Sequence, residues 1–183
     1  MNVYGDAVAV LDRWRAPDDE QRELLTTYRQ HLASRPDGVF RGCHPDHITA
    51  SCLVVSTDRT QVLLNLHRRY GIWVQFGGHC DPTDDSLAGA ALREAVEESG
   101  IETLDLATPE PVQLSTHEVR CGPVRPSHHL DVRYVAVAPP GAVPVVSEES
   151  DDVRWFAVDA VPDGVDPPLR WLIDLATVTP VRR

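Results

Sequence analysis

The stretch from Gly77 to Ile101, GGHCDPTDDSLAGAALREAVEESGI, restricts the fold more than any other part of the chain. A glycine pair and a polar, proline-containing loop lead into an alanine-rich helical pattern. It is predicted from Ser86 to Ser99, with Asp84 or Asp85 as N-cap. At about 100° per residue, Ala88, Ala91, Leu92, Ala95 and Val96 share one apolar sector. Their small members let the helix approach a sheet closely. Glu94, Glu97 and Glu98 stand at i, i+3 and i+4 and share the opposite sector. Three carboxylates at that spacing repel one another. A hard divalent ion such as Mg²⁺ relieves the repulsion, because it takes oxygen ligands and keeps waters that a phosphate can displace. Gly77 and Gly78 allow close approach of backbone, with a carbonyl as a further ligand. Arg93, beside Glu94, can orient a carboxylate by a two-point hydrogen bond. The stretch therefore reads as a loop-helix platform for metal and diphosphate.

The rest of the chain supplies elements to hold that platform. Ala7, Val10, Leu11 and Trp14 recur at helical spacing. Asp18 caps a second helical pattern carrying Leu24, Leu25, Tyr28 and Leu32, which Ser34 to Gly38 ends. Strands are predicted at His47 to Ser56, Gln61 to His67, Ile72 to Phe76 ending in the glycine pair, Val112 to Arg120, His128 to Ala138, and Val153 to Phe156. In the strand from His128, Leu130, Val132, Tyr134 and Ala136 fall on one face and His129, Asp131 and Arg133 on the other. A last helix follows Asp166, its cap, with Pro167 in the first turn. Strands on either side of a central helix, with helices at both ends, give an α/β domain with helices packed on a mixed sheet. The expected division is an N-terminal helical extension over residues 1–40, packed on the domain, and the main domain over residues 41–183.

Charge and cysteine usage narrow the partners. A formal net charge of -11 argues against nucleic acid and anionic membranes, which want a basic surface. A small polyanion must then bind through metal ions or a local basic pocket. The basic cluster His67-Arg68-Arg69-Tyr70 is one such place. Cys43, Cys52, Cys80 and Cys121 are widely spread with no C-x-x-C pair. Cys43-His44-x-x-His47 resembles half of a metal site with no second half in view, so no metal is expected there. No apolar run approaches the ~18 residues of a membrane span. The first residues lack the basic and apolar regions of a signal peptide, and a cytoplasmic setting is expected.

The run Arg93-Glu94-Ala95-Val96-Glu97-Glu98-Ser99-Gly100-Ile101, after a strand that ends in Gly-Gly and a polar loop, resembles the Nudix hydrolase signature G-x5-E-x7-R-E-U-x-E-E-x-G-U, where U is apolar. The second half matches position for position. In the first half, Asp85 stands where the pattern has glutamate. His79 sits where strict spacing wants glycine, and the loop counted from Gly78 is one residue longer. The role of the first acidic residue then passes to Asp85. The resemblance covers Trp73 to Ile101 as a motif and extends over about residues 47–160.

It implies a Nudix-like α/β/α sandwich around a mixed sheet. It also implies Mg²⁺-dependent hydrolysis, with Mn²⁺ as the alternative ion, of the diphosphate linkage of a nucleoside diphosphate derivative. In that chemistry the metals bridge the phosphates, acidify a water and neutralise the leaving group. By resemblance Gly77, Glu94, Glu97 and Glu98 are the metal ligands. Arg93, Glu94 and Glu149 are the catalytic candidates, with Glu148 beside Glu149 in the acidic loop before Trp155. His47, Arg68, Arg69, His79 and His129 are the expected substrate contacts. A homodimer stays open. Two alternatives are a non-catalytic Nudix-like ligand-binding module and an isopentenyl-diphosphate isomerase-like enzyme using Cys80.

Overall fold

The structure is a computed structural model and describes residues 2–148 and 150–178. Helices α1 (Val3–Arg13) and α2 (Asp19–Ser34) come first. The Asn2 and Asp18 side chains cap them, accepting from the N–H groups of Gly5 and Gln21. Strands β1 (His47–Val55), β2 (Gln61–His67), β3 (Ile72–Val74) and β4 (Phe76–His79) lead to helix α3 (Leu87–Ser99). After it come β5 (Asp105–Leu106), β6 (Gln113–Val119), β7 (Ser127–Val137), β8 (Ser150–Ala157) and helix α4 (Pro167–Val178). Asp166 accepts from the Leu169 N–H at 2.7 Å, which is the cap expected at the start of α4.

The eight strands form one mixed sheet around the parallel pair β1 and β7. Beside β1 lie β2 near its C-terminal end and β4 along its N-terminal half. β6 and β5 continue the sheet beyond β7, and β8 covers the far edge of β2. The strand expected from Ile72 to Phe76 is divided at Gln75. Its second part runs through the glycine pair to His79, pairing Gly77 with Ser51, Gly78 with Ala50 and His79 with Thr49. Gly77 and Gly78 are therefore sheet residues rather than the start of a loop. A Cβ on Gly77 would fall 2.3 Å from the Ser51 Cβ, so only glycine lets the two strands meet there.

Alternation along the central strands gives the sheet two faces. Ala50, Cys52, Val54, Leu130, Val132, Tyr134 and Ala136 pack against α1, α2 and α3. Leu53, Val55, Val62, Leu64 and Val135 pack against Leu169, Leu172, Ile173 and Ala176 of α4. This is the α/β/α sandwich that the resemblance implied, built on the helix-covered mixed sheet expected from the sequence pattern. The second face changes character along its length. Beyond Leu53 the same β1 parity brings Ser51, Thr49 and His47, and β7 brings Arg133, Asp131 and His129.

The N-terminal helices share the core rather than lying on it loosely. Val3, Ala7, Leu11, Trp14, Leu25, Tyr28 and Leu32 are buried in it. Gln21 acts as a strand-like partner for β6, donating to the Leu114 carbonyl and accepting from its N–H. Tyr28 donates to the Ser115 carbonyl, and Trp14 to that of Pro111. Asp6 accepts from the Leu87 N–H at 2.8 Å, placing a negative charge on the N-terminus of α3 where the helix dipole favours it. No helix among the described residues is long and apolar enough to cross a membrane.

Candidate active site

Helix α3 positions the charged groups. Its N-cap is Ser86, whose hydroxyl accepts from the Gly89 N–H, and not Asp84 or Asp85. Gly100 closes it in the left-handed conformation at φ 67°. The buried stripe is Leu87, Ala90, Ala91, Ala95, Glu98 and Ser99. The helix is thus rotated from the expected apolar sector, and Ala88, Leu92 and Val96 pack at its margin. The three carboxylates do not share one solvent face. Glu98 is buried, 8% exposed, and accepts from the Gly77 N–H at 3.1 Å. Glu94 is largely covered, while the Glu97 side chain is 58% exposed. A Cβ on Gly78 would lie 2.9 Å from the Glu94 carboxylate, so the second glycine leaves room for that group.

Arg93 ties the acidic groups together, and its partner corrects the sequence reading. Its guanidinium makes a two-point contact with Asp84, at 3.0 and 2.9 Å, and not with Asp85, which is exposed. It also donates to Glu94, Glu97 and the His79 carbonyl. Burial pushes the Asp84 carboxyl up, but the Arg93 hydrogen bonds and the Asp81 N–H hold it below the usual carboxylate range. Asp84 keeps the signature's spacing from Gly78. The extra residue lies between Asp84 and Arg93, where counting back from Arg93 cannot reveal it. Asp84→Asn is expected to lower kcat/KM about 10–100-fold by loosening Arg93, an effect of the size seen for groups that orient metal ligands. Asp85→Asn should stay within about twofold, as surface changes do. Parallel kinetics on the two variants check this; equal losses would return the role to Asp85.

Glu94, Glu98, Gly77 and Gly78 line a cleft of about 760 Å³, a size that suits a nucleotide-like ligand. Arg41, Arg68, Arg69, Tyr70, His79 and His129 line it too. Arg68 pairs with Asp151 at 3.0 Å and donates to the Ser150 carbonyl, joining the basic loop to the acidic one. Arg69 lies over the Tyr70 ring. Unlike the other expected contacts, His47 is fully buried and not part of the lining; it packs against His79 and His129. Glu149 lies outside the described residues. Cys80 is buried in the core and not in the lining, its thiol pushed up to about 12 by burial, which removes the cysteine that an isomerase reading needs.

The sequence placed Asp131 and Arg133 on the polar face but gave them no pairing. Asp131 is fully buried at the cleft floor and accepts from Thr49, Ser51, Gln75 and Arg133. Arg133 also donates to Gln113, which in turn donates to the Pro168 carbonyl in the first turn of α4. Facing polar positions on β1 and β7 were the available signal.

The oxygen donors of Glu94, Glu97 and Glu98, with a glycine cradle that a side chain would fill, fit a hard divalent cation. Helices on both faces of a mixed sheet, with a carboxylate helix beside a glycine pair at a polar cleft, define an α/β/α sandwich with an acidic cleft. The NUDIX domain family matches residues 45–175. The chain belongs to the Nudix family and is a hydrolase of phosphoanhydride bonds. Solved structures share the fold at low identity. A NUDIX-family hydrolase from Clostridium perfringens has a TM-score of 0.55 and 22% identity, covering 72% of this chain and 93% of that one. The dihydroneopterin triphosphate pyrophosphohydrolase of E. coli has a TM-score of 0.56 and 16% identity, covering 72% and 94%. A C. elegans Ap4A hydrolase has a TM-score of 0.54 and 19% identity, covering 70% and 93%. No curated protein matches the chain.

Proposed function

We propose that the chain is a Mg²⁺-dependent pyrophosphohydrolase that cleaves the diphosphate linkage of a nucleoside diphosphate derivative. The observation that carries this reading is the convergence of Glu94 and Glu98 on one cleft with Gly77, Gly78, Arg68 and Arg69. Glu94, Glu97, Glu98 and the Gly77 carbonyl would hold the cation. When bound, the cation supplies charge neutralisation at the diphosphate and makes water a stronger acid. The protein's own groups do the rest. Arg93 fixes Glu94 and Glu97 in position. Arg68 and Arg69 draw a polyanion to a chain whose net charge is otherwise -11. Exposed Tyr70 and Ile72 offer apolar surface to the part of the substrate that is not phosphate. Water attacks one phosphorus, the bridging P–O bond breaks, and a carboxylate takes the proton, with Glu94 and Glu149 as the candidates.

The test is a screen of nucleotide diphosphates and polyphosphates with Mg²⁺ or Mn²⁺, read by phosphate release and product mass. Turnover is expected with either ion and none after chelation. Product masses identify the bond cut. Absence of turnover across the panel would favour the ligand-binding alternative.

A further inference from the structure

A second cluster stands at the far end of the polar sheet face. His47 opens β1, His79 ends β4, Cys121 follows β6, and His129 lies near the start of β7. One donor atom from each lies within 4.8 Å of the others. Three imidazole rings pack with centroids 4.9 to 5.1 Å apart. The four residues come from four separate parts of the chain, and strand register brings them together: His47 pairs with His129, and Thr49 with His79.

Two observations make this more than a histidine-rich patch. His47 Nδ1 lies 3.2 Å from the Cys43 carbonyl and donates to it, which leaves Nε2 with a lone pair. Among the described residues, neither that Nε2 nor His129 Nε2 has a hydrogen-bond partner, although both are buried. Burying such atoms unsatisfied is costly unless something else engages them. The Nδ1-to-carbonyl contact is also the arrangement that fixes the tautomer of metal-binding histidines.

We propose that His47, His79, Cys121 and His129 form a zinc site, distinct from the carboxylates of α3. The donor chemistry selects the metal: imidazole and thiolate suit zinc, whereas magnesium and calcium require oxygen. Bond lengths of about 2.0–2.3 Å imply donor separations of about 3.3–3.7 Å, so the cluster needs a contraction of only about 1 Å. Four protein ligands make it a closed, structural site. His79, Cys121 and His129 border the cleft, which gives an ion access. The consequence reaches the candidate active site through one residue. The backbone carbonyl of His79 accepts from Arg93, so fixing this side chain fixes the end of β4 that Arg93 leans on. The inference goes beyond the hydrolase reading and does not depend on it.

The experiment measures metal directly, without nucleotide. Protein purified with zinc present is expected to retain about one equivalent with an apparent Kd below about 10 nM. Cobalt replacing zinc should give tetrahedral ligand-field absorption together with a thiolate-to-cobalt charge-transfer band. Cys121→Ser should remove that band, and both Cys121→Ser and His129→Asn should weaken zinc more than about 100-fold. The exposed neighbour variant His117→Gln and the helix variant Glu98→Gln should retain full zinc. The wild-type cobalt spectrum needs no variant to fold: absence of the thiolate band overturns the proposal. So does substoichiometric zinc at equimolar supply, undiminished binding by Cys121→Ser, or loss of zinc in Glu98→Gln.

Discussion

Glu98→Gln is expected to lower kcat on the preferred diphosphate about 10³-fold, or about 4 kcal/mol of transition-state stabilisation, the scale of charge stabilisation that a metal provides. The change removes one negative charge and almost nothing else. Glutamine has the same length and branching, and its amide oxygen still accepts from the Gly77 N–H that Glu98 now holds. The denaturant midpoint should therefore move little while turnover collapses. Glu97→Gln is expected to cost less, because that side chain is more than half exposed and solvent already screens it. The two variants are compared under saturating Mg²⁺, with added Mn²⁺ as a second condition. A Glu98→Gln enzyme within about threefold of wild type would remove Glu98 from the metal-binding role.

The order of the two effects comes from how α3 sits, which the sequence showed only in part. Periodicity placed the helix and separated a small-residue sector from a charged one. It could not supply rotation about the helix axis, because the sheet partner sets that. Gly78 is the contact that decides it. With no Cβ there, Glu94 packs over the strand and Glu98 turns towards Gly77. The same reason explains Asp84. The pattern gives acidic residues at 84 and 85, and only the path of the loop, fixed by Asp81 and Thr83 turn contacts, decides which faces Arg93. Alternation in β7 was legible because burial follows parity along one strand. The His47, His79, Cys121 and His129 cluster was not, although each member is plain in the sequence. Cys43-His44-x-x-His47 looked like half of a site without a partner. In the folded chain Cys43 contributes its carbonyl, and the missing half comes from residues more than thirty positions away.

Arg133→Ala is expected to destabilise the fold by about 3–5 kcal/mol, because it strands a buried carboxylate that now has a charged partner. Arg133 and Asp131 are 4% and 3% exposed, and their contact is 2.9 Å. Burial alone would push the Asp131 carboxyl up. The Arg133 and His117 side chains, with the hydrogen bonds from Arg133 and Ser51, hold it below the usual range instead. The sign of the pH dependence follows. In the wild type the depressed group contributes stability above the unfolded value of about 4, and this is lost as pH falls through the folded value. Without Arg133, burial dominates and the carboxyl should rise above its unfolded value. The same group then destabilises increasingly as pH rises from about 4 towards its new value. Wild type should keep this contribution down to about pH 4 and lose it only below, whereas the variant should gain relative stability as pH falls from neutral towards 4. Denaturant unfolding of both proteins between neutral pH and pH 4 measures the difference. Adding Asp131→Asn to the variant should recover part of the loss, since no charge is then left buried. A variant whose stability matches wild type at neutral pH, or whose deficit does not shrink towards pH 4, would show that the pair contributes little to holding the cleft floor.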